Sequence, residues 1–197
     1  MTSAEAALAR LCDPASEVSA HYLIAGDGRV WQMVREDARA WHAGAGAWGA
    51  VTDVNSRSIG IELDNGGAHP FAAPQMQALE GLLRGIMMRW SVPACRVIAH
   101  ADMAPARKSD PGPKFDWRRL ARQGLSVWPE PRDPGARSFD DLALAVGYPV
   151  SCDAKACLAA FRNRFRPGAQ GPVQAGDLAL LADLAQRFPV DRAGPSA

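Results

Sequence analysis

No stretch of this 197-residue chain stays apolar for the roughly 18 residues that a membrane-crossing helix needs, so no membrane span is expected. Nor is there an excess of either charge: 22 Lys and Arg stand against 21 Asp and Glu, a formal net charge of +1. A protein that holds nucleic acid by displacing counterions needs a basic excess, so nucleic acid is not an expected partner. The opening residues, MTSAEAALARL, lack the basic start, apolar stretch and cleavage site of a secretory signal. The default compartment is therefore the cytoplasm. Cysteine is scarce and unpatterned. Cys12, Cys95, Cys152 and Cys157 form no CxxC pair, which favours scattered thiols in a reducing compartment over a disulfide framework or cysteine-held zinc. No internal repeat or low-complexity tract appears.

What is present is enough apolar residue, 48%, to bury a core. Ala4–Leu11 reads as a short helix of strong helix formers. AHYLIAGDGRVWQMV reads as a hairpin turning at Gly26-Asp27-Gly28. In SRSIGIELDNGG, Ile59, Ile61 and Leu63 alternate with Gly60, Glu62 and Asp64, the period of a strand. Pro74 opens a long helix whose Met76, Leu79, Leu82, Leu83, Ile86 and Trp90 form a core-facing stripe, ended by Pro93. RVIAH reads as a short buried strand delivering His100 at its end, and FDWRRLARQGL as a helix stopped by Gly124.

After Trp128-Pro129 the composition shifts. PEPRDPGARS reads as a linker, and beyond it Ser138 with Asp141 makes a helix N-terminal pair. Leu158, Phe161 and Phe165, then Leu178, Leu181, Leu184 and Phe188, mark further helices. The expected fold is α/β, a mixed β-sheet flanked by helices over residues 1–130. A linker at 131–137 and a small all-α domain at 138–197 follow.

One segment concentrates chemistry. HADMAPARKSDPGP sets His100, Lys108 and Asp110 into fourteen residues fenced by prolines. His100 and Asp110 can meet if the loop doubles back, and Pro105, Pro111 and Pro113 restrict how it does so. Imidazole nitrogen and carboxylate oxygen are both good zinc ligands. A zinc ion lowers the pKa of a bound water to about 7, and a nearby ammonium suits the oxyanion formed when an amide is attacked. On spacing alone, a plain hydrogen-bonded His–Asp pair is the commoner outcome. Glu62, taken alone, reads first as a solvated edge carboxylate.

AHADMAPARKSDPGP resembles the final zinc-and-lysine segment of the zinc N-acetylmuramoyl-L-alanine amidases of the type 2 amidase family, which includes the peptidoglycan recognition proteins. VSAHYLIAGDGRVWQMV, RAWHAGAGAWGAVTDVNSRSIGIELDN and GPKFDWRRLARQGLSVWP match in order, so the resemblance runs from Met1 to about Pro129. It implies His100 and Asp110 as zinc ligands, Lys108 as the catalytic lysine and Glu62 as the residue that handles the proton of the zinc water. It implies hydrolysis of the bond between N-acetylmuramic acid, or its anhydro form, and L-alanine. The partner would be peptidoglycan or soluble muropeptide, and the protein a monomer. The loop carrying Trp41, His42 and Trp48 would lie along the substrate groove. There, Trp41 and His42 offer apolar and polar contact, Arg107 a two-pronged partner for a carboxylate, and Asn65 a hydrogen bond. For each of these, a purely structural or solvated role stays open. His21 would line the cleft or pack beneath it. The helical tail, with AFRNRFRP, resembles a small peptidoglycan-binding domain.

The resemblance also implies a third zinc ligand, a histidine on a first strand ahead of the 4–11 helix. No histidine precedes His21. Either the start has been assigned late, or the chain has lost its metal and binds peptidoglycan without cutting it. The retention of Glu62, Lys108 and Asp110 favours the former. In that case a location in the cell envelope opens as an alternative. Either way the sheet should lack a strand and leave its neighbour with unpaired backbone groups.

Overall fold

A computed structural model describes residues 3–149 and 151–190. The expectations for residues 1–2, 150 and 191–197, at the edges of the two expected domains and within the second, lie outside the described residues.

The hairpin forms as its alternation requires. Strand β1 (Tyr22–Ile24) is buried throughout and pairs antiparallel with β2 (Val30–Gln32), Leu23 standing opposite Trp31. Gly28 turns the chain at φ 92°, and a Cβ there would come within 3.0 Å of the Pro74 carbonyl oxygen. Both its backbone angle and the close approach therefore require glycine. On its other side β1 pairs parallel with β3 (Ile61–Leu63), Leu23 opposite Glu62, giving the order β2-β1-β3. The far edge of β3 has no strand partner among the described residues.

Helix α1 (Ala4–Cys12) begins at Ser3, whose hydroxyl accepts from Ala6 N at 3.2 Å. Helix α2 (Ala73–Trp90) buries Met76, Leu79, Leu83 and Ile86. Its buried Gln75 donates to the carbonyls of Ile24 at 2.9 Å and Asp64 at 3.2 Å, tying the ends of β1 and β3 to the helix. Trp90 departs from the expected stripe: it is 48% exposed and donates to Glu36 at 2.6 Å. At the last turn of α2 the stripe has rotated out of the core, and the helix stops at Ser91 in the left-handed conformation, φ 54°, two residues before Pro93.

The expected strand RVIAH does not form. His100 instead opens a one-turn helix, α3 (His100–Met103). The reason is where the backbone finds partners. The Val97 carbonyl accepts from Arg164 at 2.8 Å, and Ala99 N donates to the Asp102 carboxylate at 2.8 Å. Side chains satisfy the groups that a ladder would otherwise use.

Asp116 caps α4 (Trp117–Arg122), accepting from Arg119 N at 2.9 Å. Ser138 and Asp141 form the expected reciprocal cap of α5 (Phe139–Val146). Helices α6 (Ala154–Phe165) and α7 (Ala175–Arg187) are the last among the described residues, with Phe161 and Leu181 at 0% exposure. Each such side chain contributes about 1.5–3 kcal/mol by leaving water. The apolar core runs without a break from Ile24 and Leu79 through Trp117 and Leu142 to Leu184. The expected linker is bonded down as well: Glu130 N donates to Asp183 at 3.0 Å and Arg132 N to the Ala179 carbonyl at 3.0 Å.

Cysteine usage corrects the expectation of free thiols throughout. Cys152 and Cys157 are joined in a disulfide, their Cα atoms 6.1 Å apart. The turn capped by Asp153 folds Cys152 back onto the first turn of α6, a proximity that no CxxC spacing announces.

Candidate active site

The chain leaves α3 at Ala104, whose carbonyl accepts from both Arg107 N at 3.1 Å and Lys108 N at 3.0 Å. This turn reverses the path, so that Ala101 N donates to the Asp110 carbonyl at 3.1 Å. That backbone bond brings two side chains ten residues apart together: His100 Nδ1 stands 3.1 Å from Asp110 Oδ2. His100 Nε2 lies 2.9 Å from the Ala43 carbonyl oxygen. A carbonyl only accepts, so Nε2 carries the proton and Nδ1 is the atom that faces the carboxylate.

A lone pair facing a carboxylate oxygen needs a proton or a cation between them. Two donors on a tetrahedral zinc at about 2.0–2.2 Å stand roughly 3.4 Å apart, close to the separation here. A backbone carbonyl holding the far ring nitrogen is the usual outer support of a metal-binding histidine. The pair thus fits a divalent cation as two of its ligands. Among the described residues, no third His, Cys, Asp or Glu joins them.

The pair opens into a cleft of about 1250 Å³, lined by the free edge of β3, by Leu79, Leu83 and Ile86 of α2, and by residues 96–100 and 109–113. Glu62 projects into the same cleft from β3. Burial, and then the charge of Asp110, push its carboxyl above the usual carboxylate range, against the pull of His100 and Lys108. Burial also raises Asp110, but the hydrogen bond and charge of His100, its own backbone and Lys108 together leave it below its usual value. Lys108 is thus close enough for its charge to act on both carboxylates. Two carboxyls of one site are driven apart, one toward holding a proton and the other toward charge.

His42 lines the cleft, and its Nε2 is buried without a hydrogen-bond partner. Burial, then the charges of His21 and His100, pull its imidazole down to about 4, so it is neutral at physiological pH. A Cβ on Gly60 would meet the His42 ring at 2.3 Å, so the glycine before β3 is what lets the imidazole sit there. His21 packs beneath the cleft at 1% exposure, with Nε2 3.0 Å from the Ala38 carbonyl and Nδ1 accepting from Gly60 N at 3.0 Å.

The remaining expected contacts are less concentrated. Trp41 is 57% exposed with Arg39 stacked 4.3 Å from its ring, while Trp48 is buried. Arg107 turns its guanidinium to the carbonyls of Ala45, at 2.7 Å, and Ala43, so its donors serve the loop. Asn65 lines the cleft but folds onto the loop that follows, accepting from Gly67 N at 2.7 Å.

Two residues escape sequence reasoning. Buried Asn55 accepts from His42 N at 3.0 Å and Ala43 N at 2.8 Å, fixing the loop that carries the cleft imidazole. Buried Asp102 holds the start of α3 from within. Only its place two residues after His100 in HADM hinted at it.

Comparison with known proteins gives four consistent findings. The family profile described as N-acetylmuramoyl-L-alanine amidase matches residues 1–113. The N-acetylmuramoyl-L-alanine amidase AmiD of Escherichia coli (strain K12) is 36% identical over 222 aligned positions, covering 95% of this chain and 80% of AmiD. The 1,6-anhydro-N-acetylmuramyl-L-alanine amidase AmpD of Citrobacter freundii is 41% identical over 103 positions, covering 52% of this chain and 55% of AmpD. Among solved structures, E. coli AmiD in complex with anhydro-N-acetylmuramic acid-L-Ala-D-gamma-Glu-L-Lys superposes with a TM-score of 0.86 at 35% identity, covering 95% of this chain and 86% of that one.

Proposed function

The chain belongs to the N-acetylmuramoyl-L-alanine amidase family, and from that premise we propose how it acts and on what. It hydrolyses the amide bond between N-acetylmuramic acid and L-alanine. In our reading the substrate is a soluble muropeptide with the anhydro sugar, the chemistry named for the AmiD complex and for AmpD. The protein acts as a monomer, and the helices that follow Ser138 make a second part of the chain that shares one apolar core with the amidase part.

His100 and Asp110 would hold a zinc ion as two of its ligands. When bound, zinc acts as a Lewis acid on the scissile carbonyl and acidifies water. The remaining steps fall to side chains of this protein. Glu62, its proton affinity raised by burial, takes the proton from the attacking water. Lys108 supplies a fixed positive charge to the carbonyl oxygen as it becomes an oxyanion. When the tetrahedral intermediate collapses, Glu62 returns the proton to the departing amine of L-alanine. The unpartnered Nε2 of His42 takes a hydrogen bond from or to the substrate in the cleft. The apolar walls from α2 and β3 limit water around the reacting atoms.

The observation that carries this reading is the burial of Glu62 in the same cleft as the His100–Asp110 pair. No helix among the described residues is long and apolar enough to cross a membrane. The test is to incubate the full chain with Zn²⁺ and an anhydro-N-acetylmuramyl tripeptide and follow the peptide by chromatography. Release of a peptide beginning with L-alanine is expected. Stoichiometric zinc with no release overturns the reading. The lack of a third donor among the described residues favours one alternative, a protein that binds muropeptide without cutting it. Saturable tripeptide binding with no cleavage at any zinc concentration is its signature.

A further inference from the structure

The helices after residue 138 reach the site through a buried cluster centred on Asp102. Asp102, at 0% exposure, lies on α3 two residues beyond His100. Its Oδ2 accepts from Ala99 N at 2.8 Å and from the Arg164 guanidinium, and its Oδ1 accepts from the Tyr148 hydroxyl at 3.1 Å. Arg164 comes from α6, 62 residues away, and Tyr148 from the turn after α5. The same guanidinium donates to the Val97 carbonyl at 2.8 Å and to the Ser126 hydroxyl at 3.1 Å, and it stacks 4.2 Å from the Trp117 ring. One side chain therefore grips the backbone before His100, the carboxylate after it, and the segment that follows α4. Its Nε has no acceptor.

Three further features place the helical part against the ligand loop and the groove loop. A small void of about 10 Å³ is walled on one side by Ala99, Asp110 and Pro111 and on the other by Ala160, Asn163 and Arg164 of α6. The Tyr148 ring meets Trp48 edge-on at 5.5 Å, and Gly49 N donates to the Gly147 carbonyl at 2.8 Å, which fastens the groove loop to the same turn.

A buried ion pair is weak evidence for stability, since apolar residues fill such a space as well or better. What it supplies is direction. An arginine fork meeting a carboxylate and a carbonyl fixes orientation in a way that apolar contact does not. We infer that Arg164 and Tyr148 are positioning residues: acting through Asp102, they set the start of α3 and so aim His100 at Asp110. The helical part is then a component of the amidase site and more than an attached binding unit. This rests on the reading of His100 and Asp110 as a metal-holding pair, but it is tested separately from it.

The Ala101 amide reports the closure directly, because it donates to the Asp110 carbonyl at 3.1 Å. The Asp64 amide, which donates to the Ile24 carbonyl at 2.9 Å in the sheet, serves as the control. Hydrogen exchange at both is followed by NMR in the full-length, metal-free chain, in the Tyr148→Phe and Arg164→Lys variants. Tyr148→Phe removes one hydrogen bond and no charge, so it remains informative if Arg164→Lys fails to fold. The expected result is exchange at Ala101 faster by about tenfold or more with Asp64 unchanged. Equal acceleration at both amides, or none at Ala101, overturns the inference. Binding of Zn²⁺ alone, measured by chelator competition, should weaken about 10- to 100-fold in the variants. If the unaltered chain binds no zinc, the metal reading fails, and the two amides still decide the positioning role.

Discussion

On the cleft wall, Glu62 is partly withdrawn from water with only charges to answer it: burial and then Asp110 raise its proton affinity, against the pull of His100 and Lys108. Behind the same loop, Asp102 is withdrawn further but has donors on both carboxylate oxygens, from Ala99, Arg164 and Tyr148. The contrast between the two carboxylates separates chemistry from support. A carboxylate left short of donors is uncomfortable as an anion and therefore willing to take a proton, which is what a general base near neutrality requires. A carboxylate saturated with donors keeps its neighbours in place.

The contrast predicts opposite outcomes for the two substitutions. Glu62→Gln should lower kcat about 10²- to 10⁴-fold, the usual worth of a general base, with thermal unfolding unimpaired. Steady-state kinetics with an anhydro-muramyl tripeptide, together with calorimetry, checks both halves. A variant that retains full activity would remove Glu62 from the chemistry. Asp102→Ala should do the reverse at the level of the fold. It leaves the Arg164 guanidinium, 4% exposed, without its carboxylate, and losses of this kind run to about 3–5 kcal/mol. Denaturant unfolding measures this, and a loss below about 1 kcal/mol would mean that the pair is replaceable.

The effect of pH sharpens the same comparison on a smaller scale. The folded-state pKa of Glu62 lies above its usual 4.5. Below 4.5 the group is protonated in both folded and unfolded chains, so Glu62→Gln should match the parent in stability there. Above the raised pKa the ionised group burdens the fold, and the variant should be the more stable at pH 7. Glu36 runs the other way. The hydrogen bond from Arg89 outweighs burial, and with help from Tyr22 and Trp90 it holds the carboxyl down at about 2. Its contribution is present above 4.5 and fades as pH falls toward 2. Glu36→Gln should therefore lose stability at pH 7 and match the parent near pH 2. Unfolding midpoints across that range test both signs.

How much of this was legible in the sequence depended on distance along the chain. The hairpin, the stripe of α2, the Ser138–Asp141 cap and the meeting of His100 with Asp110 all depend on residues within about fifteen positions, where turn chemistry and helical period operate. The segment at 97–99 looked like a strand because apolar residues in a row look alike in strands and in irregular buried chain. What decided it was Arg164, which no local pattern ties to Val97. Asp102 and Arg164 are each unremarkable in place, one in a helical turn and the other on an amphipathic helix, and only the packing of α6 against α3 makes them a pair. The Cys152–Cys157 bond was hidden for a related reason, since the turn that joins them lies within the stretch yet follows no familiar cysteine spacing.

The smallest expected effect separates two tryptophans of the groove loop. Trp48 is 8% exposed and packs on Tyr148, so it belongs with Asp102 among the supports, and Trp48→Ala should cost about 3–5 kcal/mol. Trp41 is 57% exposed with the Arg39 guanidinium over its face, so Trp41→Ala should shift stability by no more than about 0.5 kcal/mol. If the Trp41 ring lies against the substrate, it binds ground state and transition state alike. Its loss should then raise KM about 2- to 10-fold and leave kcat alone. An unchanged KM would assign Trp41 to the solvated surface and confine recognition to the cleft that His42 and Glu62 line.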